Sequence, residues 1–165
     1  MSRAGLGIAI SLALFIAPLF AQYPLGAATL QWSGSSGQTA GSFCWESNWS
    51  CTPNPITVTA NETVTLSLRG ALGGAYVIAI SGGASQCQVI PGVLNALVLD
   101  NPITPVITGQ LNIGGAILAC PAGTDSSIFS FPSNLPPGMT FAIQALITGA
   151  GNMLTFSEAI LVTTV

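Results

Sequence analysis

Glycine and proline fall so densely along this chain that no apolar run beyond its first twenty or so residues keeps a helical period. Every stretch able to carry one is cut by "GG", "PG", "PAGTD" or "NLPPG". What survives between the cuts is short, apolar and rich in β-branched residues, which suits a pleated strand. The clearest case is "TVTLSLRG". Val64, Leu66 and Leu68 share one face there, while Thr63, Thr65, Ser67 and Arg69 share the other, which predicts a sheet with one wet face. "ITVTA" alternates just before it, and the intervening "NE" predicts a tight hairpin turn. Downstream, "AYVIAIS", "QCQVI", "NALVLD", "ITPVITGQLNI", "AILAC", "SSIFSF", "MTFAIQALIT" and "MLTFSEAILVTTV" bring the total to roughly seven to ten short strands, the pattern of a sandwich or barrel.

The last two segments are the most apolar and are expected to form the core pair. "MTFAIQALIT" places Met139, Phe141, Ile143, Ala145 and Ile147 on one face, and the "GAGN" that follows supplies the left-handed conformations of a hairpin. Phe156, Ile160 and Val162 alternate along the final segment, where a strict period would bury Glu158. A buried unpaired carboxylate costs too much, so an edge position or a bulge is expected near Ser157 to Ala159.

The opening "MSRAGLGIAISLALFIAPLFA" sets one arginine ahead of an apolar run and then a small residue, as a secretory signal does. Residues 1–21 are therefore read as a signal peptide, with cleavage as late as residue 28. The run is too short for a spanning helix and Pro18 interrupts it. Residues 22–55 follow as a Gly/Ser-rich segment with a cysteine loop, and 56–165 as the sandwich domain. An outer-membrane barrel fits the mean hydropathy of +0.69, but the aromatics form no repeated girdle and the strands vary too much in length. The expected fold is thus all-β, a single antiparallel sandwich of immunoglobulin-like or jelly-roll-like form.

Charged residues make up 4% of the chain, with no His and no Lys. Once the signal is removed, Arg69 is the single cation facing five acids, which argues against nucleic acid and against a basic membrane-surface patch. A surface of Ser, Thr, Asn, Gln and Gly gives almost no like-charge repulsion, so self-association is a live expectation. Without His or Lys, neither a Ser-His-Asp nor a Ser-Lys arrangement can be assembled. Asp100 and Asp125 are the one carboxylate pair with any hydrolytic potential, and both sit beside turn residues, where Asp ordinarily bonds its own backbone. The acids are too scattered for calcium and the cysteines lack close C-x-x-C pairs, so neither metal nor cofactor is expected. "NWS" and "NET" match glycosylation acceptors at Asn48 and Asn61, a short pattern that also arises by chance.

Four cysteines in an exported chain predict two disulfides. Proximity in sequence favours Cys44 with Cys51 in "FCWESNWSC", which leaves Cys87 with Cys120. The loop also holds Trp45 and Trp49, which suit either packing or stacking on sugar rings.

From about Ile56 onward the chain resembles a β-sandwich module found at the C-terminal end of many secreted bacterial proteins. The pattern is carried by Pro132, Asn134, Pro137 and Gly138, then Gln144 and Ala145, Gly149 and Gly151, Ser157 and Ala159, Val162 and Thr163, with Cys87 similar to a central cysteine of that family. The resemblance implies a fold and an address rather than an activity. "LQWSGSSG" followed by "WESNWS" is also similar to the opening of surface-displayed bacterial β-proteins, which implies that Trp32, Trp45 and Trp49 are packing groups. The functional expectation is a non-catalytic, secreted or cell-envelope structural or interaction module, self-associating or holding an envelope protein or glycan. The alternative is a lectin-like module that binds carbohydrate through exposed Trp45 and Trp49.

Overall fold

The computed structural model describes residues 28–42, 51–71, 73–111, 124–132, 134–149 and 152–165. The strands run β1 (Thr29–Gly34), β2 (Thr39–Gly41), β3 (Asn54–Val58), β4 (Thr63–Ala71), β5 (Ala75–Ser81), β6 (Gln88–Val89) and β7 (Val93–Leu94). They continue with β8 (Ala96–Leu97), β9 (Thr104–Gln110), β10 (Thr124–Pro132), β11 (Thr140–Thr148), β12 (Leu154–Phe156) and β13 (Ile160–Thr164), with no α-helix among the described residues.

Alternation sorts these strands into two layers. The first sheet has the antiparallel order β10-β4-β1-β2. In the second, β12 and β13 lie end to end along one edge of β11, β5 pairs with its other edge, and β9 lies beyond β5. On the outside of the β12 and β13 line, β3 runs parallel to β13 and β7 parallel to β12, the two exceptions to an otherwise antiparallel sandwich. Strands β1 and β2, from the stretch expected to precede the sandwich, form half of its first sheet, so the domain takes in the chain from Thr29 rather than from Ile56.

The core lies between the layers. Leu30, Trp32, Val64, Leu66 and Leu68 from the first sheet meet Tyr76, Ile78, Phe141, Ile143, Ala145, Ile147, Ile160 and Val162 from the second. Trp32 is 1% exposed and its ring meets Phe141 edge to face at 6.0 Å, which makes it a packing group. Tyr76 and Phe129 repeat the arrangement across the layers at 6.1 Å.

Three local expectations change. The "NE" turn joins β3 in one sheet to β4 in the other, so it crosses between layers and closes no hairpin; Asn61 supplies its left-handed residue at φ 65°. The second face of β4 is wet at Thr63 but buried at Ser67 and Arg69, because alternation distinguishes two faces without saying whether the polar one is covered. Burial lowers the Arg69 pKa from its ordinary value by desolvation. Met139 lies just ahead of β11 and is 39% exposed, outside the core row assigned to it.

The bulge near Ser157 to Ala159 is present. Ile143 pairs with Ile160 and Leu146 with Phe156, so Gln144 and Ala145 of β11 face three residues of the partner strand. Ser157 fills the gap: its N–H donates to the Ala145 carbonyl at 2.8 Å, and its Oγ accepts from the Ala145 N–H at 2.9 Å. One extra residue inverts the facing of everything before it, so Phe156 does not share the face of Ile160 and Val162. It pairs with Leu146 on the outer side of the second sheet, while Thr155 turns inward opposite Ile147.

Candidate functional site

Residues 82–103, between β5 and β9, fold as a flap over the outer face of the second sheet. Within it β6 and β8 pair antiparallel, while β7 adds to the edge of β12. The sequence explains why the flap adheres: "NALVLD" does not alternate, and Ala96, Val98 and Leu99 are all buried.

Polar contacts fix its position. Gln144, buried on the outer face of β11, donates from Nε2 to the carbonyls of Ala96 and Ser157, both at 2.9 Å, and accepts at Oε1 from the Val98 N–H at 3.1 Å. One amide thereby joins sheet, bulge and flap. Asn95, held at φ 64°, donates from Nδ2 to the Phe156 carbonyl at 2.7 Å. At the far end Asp100 Oδ1 accepts from the Ser85 N–H at 3.0 Å and the Ser85 Oγ at 2.8 Å, while its own N–H donates to the Gly83 carbonyl at 3.0 Å. A β-carbon on Gly83 would stand 2.6 Å from Asp100 Oδ2, so a side chain there would have to displace the carboxylate.

A disulfide between Cys51 and Cys87, with Cα atoms 5.2 Å apart, ties the flap to the segment entering β3. This corrects the pairing of Cys44 with Cys51 and of Cys87 with Cys120: nearness along the chain lost to the fold, which lays Cys87 beside Cys51 ahead of β3. Cys44 and Cys120 lie outside the described residues.

Flap and sheet do not close completely. A pocket of about 260 Å³ lies between them, lined by Val77, Ala79, Ala145, Leu146 and Phe156 of the sheet, Leu97, Leu99 and Ile103 of the flap, Pro105 and Gln144. Its one polar side chain is Gln144, whose amide is already engaged with the backbone at both ends. Pro105 is exposed and marks the rim.

Two further acids among the described residues also have local partners. Glu158, which the bulge leaves half-buried, accepts from Ser42 Oγ at Oε1 and from Asn54 Nδ2 at Oε2, the latter at 2.7 Å. Glu62 accepts from Ser36 Oγ at 2.9 Å. Asp100 is the turn device that its position predicts. Asp125 stands on β10 opposite Gly70, in the other sheet, and is not drawn together with Asp100 by any strand pairing. Among the described residues, no group of three His, Cys, Asp or Glu side chains is placed to hold a metal, and no helix is long and apolar enough to cross a membrane. Trp45 and Trp49, the expected sugar-stacking residues, lie outside the described residues, as does Asn48. Asn61 is exposed at its turn.

The other surface of note is β9. Its seven residues, "TPVITGQ", carry no charge and none is buried. Among the described residues it pairs with β5 alone, so one edge of the second sheet is open there. Val106 is 47% exposed beside a register shift between Ile78 and Ala79. No family model matches the chain, and no curated protein matches it.

Proposed function

We propose that this chain is a non-catalytic, exported interaction module of the cell envelope or extracellular matrix that associates with copies of itself along β9. The observation that carries the reading is an uncharged seven-residue edge strand without a single buried side chain. Folded proteins usually blunt such an edge with Lys, Glu, Pro or a bulge, because its unpaired N–H and C=O groups are a template for another strand. Here Pro105 and the register shift guard only the first half, and among the described residues Ile107–Gln110 has no second strand beside it. The low charge of the whole chain removes long-range repulsion between copies. The Cys51–Cys87 disulfide and the signal-like opening support an oxidising address outside the cytoplasm. The resemblance to C-terminal modules of secreted bacterial proteins points the same way.

The test is light scattering during size exclusion of the oxidised protein, over a wide concentration range. Association that rises with concentration, and that Val106→Lys abolishes without lowering the melting temperature, is the expected outcome. A concentration-independent monomer would overturn the reading. Retention of that monomer on an immobilised glycan, lost on replacing Trp45 or Trp49, would install the lectin-like reading in its place.

A further inference from the structure

We infer that the pocket beneath the flap is a binding site for a small, uncharged, hydrocarbon-like molecule. Protein interiors leave few voids larger than a water molecule, so a space of this size is a feature to explain. This one is held open. The flap is fixed to the sheet by Gln144 and Asn95, braced internally by Asp100 and tied at its entry by the Cys51–Cys87 disulfide. The hydrogen bonds run to backbone groups or within the flap, so they set the height of the roof without consuming the space below it.

The wall then selects the occupant. Val77, Ala79, Leu97, Leu99, Ile103 and Leu146 present only carbon, and Gln144 has committed both ends of its amide. A water molecule in such a space lacks the two to four polar partners it needs, and a sugar or an ion would leave its own polar groups unpaired. An apolar cavity of ~150 Å³ accepts benzene, so ~260 Å³ corresponds to roughly ten carbon atoms. The exposed Pro105 at the rim gives a way in from solvent. This site lies on the outer face of the sheet and does not depend on association along the β9 edge.

The experiment uses the oxidised full-length protein with 13C-labelled methyl groups, titrated with n-butylbenzene and separately with 4-phenylbutyrate, which adds a carboxylate to a similar skeleton. Saturable shifts confined to the methyls of Val77, Leu97, Leu99, Ile103 and Leu146 are expected with the hydrocarbon and not with the acid. Ala79→Leu and Leu146→Phe each place extra carbon in the space and are expected to weaken binding at least ~tenfold, the second serving if the first does not fold. No saturable shift, an equal response to both probes, shifts centred on the exposed Val89 and Val106, or undiminished affinity in a folded pocket-filling variant would each overturn the assignment.

Discussion

Replacing Gln144 with Leu tests the central claim about the flap. The side chain is 3% exposed, and its three hydrogen bonds end on backbone groups of Ala96, Val98 and Ser157. Leucine has nearly the same volume, so little cavity cost arises and the loss is that of the polar contacts. Each such bond contributes a net ~1 kcal/mol, and stranding its buried partner costs about 1 to 3. Loosening of the flap exposes some of those partners to solvent, which favours the lower end. A total of about 3 kcal/mol follows, which for a domain of this size is a fall of roughly 10 °C in melting temperature. Urea denaturation of the oxidised protein, followed by the fluorescence of its tryptophans, measures the loss. Hydrogen exchange at the Val98 amide locates it, because that N–H should lose its protection before the β4 and β11 ladders open. Gln110→Leu, on the exposed face of β9, is the control and should stay within ~0.5 kcal/mol. A Gln144→Leu loss no larger than the control's, or a Val98 amide still protected as strongly as the core, would refute the account of how the flap is held.

Two further outcomes follow from the described geometry. Digestion without reduction should yield a Cys51–Cys87 linked peptide, and with those two joined Cys44 and Cys120 have only each other within the chain. Closing a loop of sequence separation 36 is worth about 4 kcal/mol in the chain-entropy account, so Cys51→Ser paired with Cys87→Ser should lower stability by up to that amount; recovery of Cys51 linked to Cys44 would contradict the fold of the flap. Thr155→Val should be neutral or stabilising by ~1 kcal/mol in thermal denaturation, because its buried hydroxyl faces the core without a hydrogen-bond partner; a clear loss would show that the hydroxyl has a partner, such as an ordered water.

Much of this architecture was legible from spacing alone. The alternation of Val64, Leu66 and Leu68 and of Phe141, Ile143, Ala145 and Ile147 marks two inward faces, and each is buried. The misplaced carboxylate at Glu158 was enough to locate the bulge. Other features were hidden because period-2 patterning is local. It orders residues on a strand but does not say which strands become neighbours, so the turn at Asn61 read as a hairpin when β3 and β4 belong to different layers. Nor does it register what covers a polar face, as Ser67 and Arg69 show. Cysteine pairing failed for the same reason: chain distance is a poor guide when a flap of some twenty residues returns to another strand. The pocket had one faint signal, the apolar run "NALVLD" without alternation, which marks a segment buried on more than one side.

The bulge, the buried glutamine and the flap are best understood as one structural device. Without the extra residue, Ser157 would pair in the ladder and Phe156 would fall on the core face with Ile160 and Val162. With it, Phe156 turns outward to wall the pocket, and the Ser157 carbonyl is free to accept from Gln144 Nε2. The second proton on that nitrogen and the oxygen beside it then reach Ala96 and Val98, positioning the flap over the very side chains the bulge has turned toward it. The Phe156 carbonyl, accepting from Asn95, adds a second attachment one residue away. A register change that costs the sheet two regular pairings thus supplies an apolar wall and most of the polar anchors that hold a roof above it. That concentration of anchors on the bulge is why Gln144, rather than any residue of the flap itself, is the position at which the roof can be released.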